Sequence, residues 1–337
     1  MKKELMVFAA LLAAGCDGES QADLKDFPEA SNEEASTEEA SQPSSEEDCE
    51  ITIVDTKPNS GAMGWFYRDS ITLTFSDANP NIDIVAKNSA GEEEPVSFEW
   101  DDVRLNATVL PDSGTWSPAE TYTLEVSLCG AAPTLEFSTS EYGSTLDIAS
   151  DDLVGNTYFV DLSTANYIEP PGVGALLSLF IDTPLLFGIT AIDGEVIDFE
   201  AGLGEQAGSS ADWSIFGERW SFSNADFTQS PYFYASTDLL NIPFDSVDIP
   251  VHGFYLSGTF SPSGDEIGFV EFSGLGDTSN MGLLMGFGTA PDALCSNELF
   301  INAGIICEEC PTGGEYCVQL TGQIDEASII PGFDITQ

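Results

Sequence analysis

The chain has 337 residues, 42% of them hydrophobic, which suffices for two domains and a tail and argues against disorder throughout. Acidic residues outnumber basic ones by 58 to 8, which gives a net charge of -50, and no Lys or Arg occurs from Ser221 to Gln337. Because nucleic-acid affinity depends on cationic side chains, this composition excludes a nucleic-acid partner and leaves metal cations, basic proteins or uncharged surfaces. The simpler alternative is that the acidity only keeps an exported protein soluble.

The N-terminus is typical of an export signal, because two lysines precede the apolar run Leu5–Ala14. That run is shorter than the roughly 20 residues needed to span a bilayer. The junction LLAAGC, ending at Cys16, resembles the lipobox of bacterial lipoproteins, with Ala13 where that family prefers Leu. The resemblance implies that residues 1–15 are removed and that Cys16 carries a lipid that anchors the protein to a membrane. The alternative is ordinary signal cleavage that leaves a free thiol.

The cysteine count agrees with lipidation. An odd number of cysteines leaves an exported protein with a spare thiol, whereas a lipidated Cys16 would leave six that can pair. The seven cysteines are Cys16, Cys49, Cys129, Cys295, Cys307, Cys310 and Cys317.

Residues 16–48 are predicted to form a disordered acidic tether. The stretch after Cys16 contains twelve acids and one Lys among Ser, Ala and Gln, so it has little to bury against its ordering entropy. A helix, or an acidic bait for a partner, is the alternative. Asp17, directly after the anchor, is an inner-membrane retention signal in some lipoproteins, so the choice of membrane stays open.

Residues 49–142 consist of short β-branched runs at the spacing of an all-β sandwich, and SITLTFSD alternates apolar and polar residues as a half-buried strand does. The segments TKPNSG, SITLTFS and WSPAETYTLEV follow one another as in the SbsA-like bacterial Ig-like domain of S-layer and other envelope proteins, which this region resembles. The resemblance implies a spacer or adhesion module without catalytic residues. In such a sandwich Cys49 and Cys129 meet at one pole, so a disulfide between them is expected.

One loop of this region is a weak calcium candidate. Alternating oxygen ligands resemble those of a calcium loop, but Ile82 stands where the EF-hand needs Gly, so a turn is the main alternative. The four candidate ligands are Asp77, Asn79, Asn81 and Asp83.

Residues 146–337 are predicted to form a larger antiparallel β-sandwich or a closed barrel of eight to ten strands, which makes the whole chain all-β. The most apolar stretch, PPGVGALLSLFIDTPLLFGITAI, is interrupted by Asp182 and Pro184 before it reaches the length of a membrane span. It is expected to form a short helix and a core strand. The alternative is that it forms one wall of an apolar ligand pocket.

The last four cysteines predict a disulfide-stapled C-terminal segment. A zinc site would need two CxxC pairs, and only Cys307 and Cys310 form one. Two disulfides are therefore expected, with the pairing open except that a bridge between Cys307 and Cys310 is disfavoured. The surrounding block, GTFSPSGDEIGFVEFSGLGDT with CEEC and GGEYC, resembles a segment of uncharacterised bacterial lipoproteins and implies no activity.

Catalytic motifs are scarce, so the protein is not expected to be an enzyme, and no cofactor is expected. The single histidine, His252, lies in a predicted strand and is expected to be a structural residue with its hydrogen bonds satisfied. Two acid pairs suit a glycosidase in principle, but 58 acids produce such pairs by chance. They are Glu195 with Asp198 and Asp265 with Glu266.

Together these features predict a non-catalytic lipoprotein of the cell envelope, with the outer membrane as the expected location. Its β domains would serve adhesion, or the binding of a partner or glycan. The alternative function is the binding of a small or apolar ligand inside a C-terminal barrel, and a carboxylate-based hydrolase is a third hypothesis. A filled barrel interior would favour the first hypothesis, and a continuous apolar cavity would favour the second.

Overall fold

The described residues form one compact unit in the computed structural model of the protein. No helix within them is both long and apolar enough to cross a membrane. The predicted signal, Cys16, the tether and Cys49 lie outside them. The described ranges are 50–78, 80–170, 183–206, 213–244, 247–302 and 304–337.

The first half is a sandwich of two sheets, in which β1-β3-β7-β6 pack against β2-β9-β8-β4-β5. All pairs are antiparallel except β2 with β9. These nine strands are β1 (Ile53–Lys57), β2 (Ala62–Trp65), β3 (Ile71–Phe75), β4 (Ile82–Lys87), β5 (Glu93–Glu94), β6 (Val96–Trp100), β7 (Asn106–Pro111), β8 (Thr121–Leu128) and β9 (Thr134–Thr139).

The sandwich core forms as the sequence pattern predicts. In β3, Ile71, Leu73 and Phe75 are buried, and the threonines between them are only half-buried on the other face. Trp116 and Phe137 pack their rings edge to face in the core and are almost completely buried. Fully burying one such large side chain stabilises a fold by about 1.5–3 kcal/mol.

The second half is an eight-stranded antiparallel barrel, so the predicted all-β class is confirmed. The strands follow the order β10-β12-β13-β14-β15-β16-β17-β19, and β19 pairs with β10 to close the ring, while β11 and β18 pair with β19 outside it. These ten strands are β10 (Thr157–Val160), β11 (Asn166–Glu169), β12 (Leu185–Asp193), β13 (Val196–Gln206), β14 (Trp213–Asp226), β15 (Tyr232–Phe244), β16 (Val247–Phe260), β17 (Glu266–Asp277), β18 (Glu308–Glu309) and β19 (Glu315–Ile329).

A stapled segment connects β17 to β19 and contains two short helices, α1 (Met281–Leu284) and α2 (Glu298–Asn302). Disulfides join Cys295 to Cys307 and Cys310 to Cys317. The two expected C-terminal disulfides are thus present, and they avoid the disfavoured bridge between neighbouring cysteines.

The sandwich and the barrel touch through side chains that follow β2 and β9. The ring of Phe66 stacks on that of Phe269 with 4.2 Å between centroids, and the Tyr142 hydroxyl donates to a Glu266 carboxylate oxygen at 3.1 Å. Arg68 lies over the ring of Tyr232. Because both halves belong to one compact unit, the division into separate domains at the proposed boundaries stays a prediction.

Candidate functional site

The interior of the barrel contains an apolar cavity of about 120 Å³. Its wall consists almost wholly of aliphatic and aromatic side chains that alternate inward along the strands. The lining residues are Leu162, Tyr167, Leu185, Phe187, Ala201, Leu203, Trp220, Phe222, Leu240, Ile242, Val251, Phe254, Leu256, Phe272, Ser273, Gly274 and Leu320.

The two side-chain hydroxyls in this wall are engaged by the protein. The Tyr167 hydroxyl donates to the Leu162 carbonyl oxygen at 3.1 Å, and desolvation raises the pKa of Tyr167 to about 12. The Ser273 hydroxyl lies 3.0 Å from that of Thr321 and accepts from the Gln319 amide at 2.7 Å. None of the lining residues that the structure describes is an acid, a histidine, a cysteine or a lysine, so this part of the wall offers dispersion and burial but no acid or base.

The barrel wall is incomplete at one seam beside this cavity. β14 and β15 share a single ladder pair among their described residues, Asp226 with Tyr234, next to the turn that connects them. On its other edge each of these strands is paired over most of its length. The indole N–H of Trp220 crosses the seam and donates to the Asn241 carbonyl oxygen at 3.0 Å.

The sequence explains why the seam opens. Pro243 in β15 has no N–H to donate to a neighbouring strand, and proline in a sheet is confined to edges and bulges. Opposite β13, β14 contains a bulge at Gly217 and Glu218, where Gly217 has a φ of 81°. A bulge bends its strand and interrupts the ladder. Pro243 and Gly217 were the features of the sequence from which an incomplete ladder between β14 and β15 could have been predicted.

A second cavity, of about 290 Å³, lies on the outer surface where the sandwich meets the barrel. The rings of Tyr234 and Tyr255 stack there at 5.3 Å, and the Tyr255 hydroxyl donates to Glu271 at 2.5 Å. The pKa of Asp69 is raised by loss of hydration and by the Glu271 carboxylate, against an opposing effect of Lys57. These side chains mainly interact with one another, as expected for residues at the contact between the sandwich and the barrel.

The acid pairs noted in the sequence line neither cavity. Asp198 accepts from the backbone N–H of Asn224 at 2.7 Å, and the Glu195 carbonyl accepts from that of Phe227. Glu266 is engaged by Tyr142, as described above. Asp265 lies beside it in the turn before β17.

The weak calcium candidate stays a prediction, because one of its four residues, Asn79, lies outside the described residues. Asp77 accepts from the next backbone N–H at 2.7 Å, as an Asp in a turn commonly does, and Asp83 is exposed within β4. Asn81 lies just before that strand.

Asp277, Cys310 and Cys317 place three ligand atoms within 4.8 Å of one another, a spacing that suits a metal ion. Both cysteines are joined in a disulfide, so neither offers the thiolate that binds metal. The Asp277 carboxylate accepts from the backbone N–H of Ser279 at 2.9 Å. All three residues therefore have structural roles, in a disulfide and in a turn.

The expectation that His252 has its hydrogen bonds satisfied is wrong. It lies in β16 as predicted, but its Nε2 is buried without a partner among the described residues. The reason is its position, because its neighbours on the two adjacent strands are Leu239 and Leu275, whose side chains offer no polar atom. It lines neither cavity.

Three other predicted features fall partly or wholly outside the described residues. Cys16, the proposed lipidation site, is outside them, as is Cys49. Cys129 is disulfide-bonded, as a bridge to Cys49 would require. The first part of the apolar stretch, residues 171–182, is also outside, and its second part begins the core strand β12, whose Leu185 and Phe187 line the cavity.

No protein-family model matches the chain, and a search of curated proteins returns no significant relative.

Proposed function

We propose that this chain is a bacterial envelope lipoprotein, anchored through Cys16, whose barrel binds a small apolar molecule. The observation that supports the proposal is the apolar cavity inside the barrel, which is the feature that the ligand-binding hypothesis predicts. Adhesion, and the binding of a partner or glycan, stay predictions.

The size of the cavity limits the ligand class. An engineered cavity of about 150 Å³ in another protein stays dry and binds benzene. A cavity of about 120 Å³ is therefore suited to one aromatic ring or a short alkyl chain. The apolar wall favours uncharged ligands, because an ion in it would lose its hydration without gaining a partner.

The proposal is tested by the dependence of affinity on ligand length. Each buried methylene contributes about 0.8 kcal/mol, so the dissociation constant should fall about four-fold per methylene from benzene through the n-alkylbenzenes until the cavity is full. Leu240→Ala, which enlarges the cavity, should move the optimum to a longer chain. Ala201→Leu, which fills it, should weaken the binding of every member of the series. Calorimetric titration measures each dissociation constant, and near-UV circular dichroism checks folding.

A matched control is Leu124→Ala, which removes the same atoms from the completely buried sandwich core. Either Leu→Ala change costs about 2–5 kcal/mol of stability, so the two variants separate destabilisation from a change at the site. An optimum that stays at one chain length in all three variants contradicts binding in the barrel, as does the absence of binding across the whole series.

A further inference from the structure

Closed barrels require a route by which a ligand reaches the interior, and the described walls differ in how firmly they are joined. β15 pairs with β16 from Tyr232 to Phe244, and β13 pairs with β14 over nearly all of both strands. Each such ladder would have to break before a molecule could pass. Between β14 and β15 only the pair next to the turn would remain to be disturbed.

The seam lies directly over the cavity. Trp220 and Phe222 of β14, and Leu240 and Ile242 of β15, face each other across it and line the cavity. A separation of these two strands therefore exposes the cavity itself and not another layer of core.

Phe216 shows where the wall already opens. It lies directly opposite Leu203, which lines the cavity, so the two side chains share the inner face of the sheet. A large apolar residue on the inner face of a closed barrel would be buried, yet Phe216 is 55% exposed. The inner face of β14 is thus accessible to solvent at the end of the strand distant from the turn.

The opposite end of the barrel is packed. Leu153 is fully buried there, and a methyl group added at Gly264 would meet the Leu153 side chain at 2.6 Å. The Tyr158 hydroxyl also donates to the Gly264 carbonyl oxygen at 2.6 Å. A ligand would have to displace this plug, whereas at the seam it displaces one indole.

We propose that apolar ligands enter and leave the cavity through the seam between β14 and β15, and that the Trp220 side chain is the gate. The indole donates to the Asn241 carbonyl, which has no assigned ladder partner on β14, and its side chain lines the cavity beside the seam. Opening requires this hydrogen bond to break, the indole to rotate and the two strands to separate along the part of the seam that has no ladder pairs. This inference rests on the proposed binding function and names the route to the same site.

The test uses two cysteine pairs in the chain carrying Cys16→Ser, each joined by a short dimaleimide. Ser221→Cys with Leu239→Cys links the two strands across the seam on the exposed outer surface. Ser221→Cys with Glu200→Cys links β14 to β13, where the two residues are already ladder partners, and serves as the matched control. Fluorobenzene is the ligand, and ¹⁹F NMR exchange measures its entry and exit rates.

We expect the cross-link over the seam to lower both rates at least ten-fold, with a dissociation constant changed less than three-fold. The control link should change either rate less than two-fold. Trp220→Phe, which keeps a ring but loses the N–H, should raise both rates about two- to ten-fold, the range expected for one lost hydrogen bond.

Unchanged rates after linkage across the seam would overturn the gate while leaving the binding site intact. Failure of fluorobenzene to bind the chain before any cross-linking would instead overturn the proposed function. The two failures are therefore distinguishable in one set of samples.

Discussion

At the scale of single residues, the backbone of Asp69 stabilises the fold, whereas its ionised carboxylate is disfavoured in the folded state. Its carbonyl oxygen accepts from the indole N–H of Trp116 at 3.1 Å and so anchors the sandwich core. Its carboxylate lies in the outer cavity, where lost hydration and Glu271 raise its pKa. The folded state therefore binds this proton more tightly than the unfolded chain does.

The sign of the resulting pH dependence follows from that difference. The contribution of Asp69 is fully present below the unfolded pKa of about 3.9 and is lost as pH rises through the higher folded pKa. Asp69→Asn should match the wild type in stability near pH 3 and exceed it at pH 7. Urea unfolding across this range measures the difference.

Asp334→Asn is the control with the opposite sign. Hydrogen bonds from Thr336, foremost that of its side chain, hold the pKa of Asp334 below its usual value. Its contribution is present above the unfolded pKa and is lost as pH falls through the folded one, so this variant should be the less stable at pH 7. If the difference in unfolding free energy from the wild type changed with pH in the same direction for both variants, the two opposite pKa shifts would be contradicted.

At the scale of elements, alternation identified the strands but not their full length. The alternation of polar and apolar residues in RWSFS, residues 219–223, is typical of a strand, yet β14 extends from Trp213 to Asp226. The bulge at Gly217 and Glu218 breaks the alternation, so no single period runs through the strand.

For a related reason, the sequence could offer an apolar pocket only as an alternative to a filled core. Phe187 and Phe222 have the hydrophobicity of a filled core, and their rings lie near each other in the barrel. Whether space remains between such residues depends on how eight strands curve together, which no single segment encodes. The stapled segment was predictable because cysteine chemistry is local.

The two C-terminal disulfides should differ in what their removal costs. Cys295 and Cys307 are 12 residues apart, and a loop of that size is worth about 3 kcal/mol in the chain-entropy model. Cys310 and Cys317 close a shorter loop, but both are buried, so replacing them with alanine also leaves a void.

We therefore expect the Cys310→Ala/Cys317→Ala variant to lose more stability than the Cys295→Ala/Cys307→Ala variant. Guanidinium unfolding of the two double variants and the wild type gives the comparison. A larger stability loss for the Cys295→Ala/Cys307→Ala variant would mean that loop entropy, and not the buried void, determines how much each disulfide contributes.

At the scale of the whole molecule, the proposed anchor determines where the barrel works. Cys16→Ser should transfer the protein from the membrane fraction to the soluble fraction, because acyl chains contribute about 0.8 kcal/mol per buried methylene. Immunoblots of separated fractions, with the intact mass of the mature wild type, measure both effects. Asp17→Asn, which leaves the cysteine in place, should stay with membranes. An unmodified Cys16 thiol in the wild type would contradict the anchor.

The incomplete pairing between β14 and β15 also has a consequence for assemblies of this protein. Along most of this seam the two strands share no ladder pair, and unpaired strand edges readily recruit a strand from another copy to build fibrils. A charge of -50 makes neighbouring copies repel one another before their edges meet. Close to the isoelectric point, about 4.1, that repulsion vanishes, so acidification turns the weakest part of the wall into a site of polymerisation.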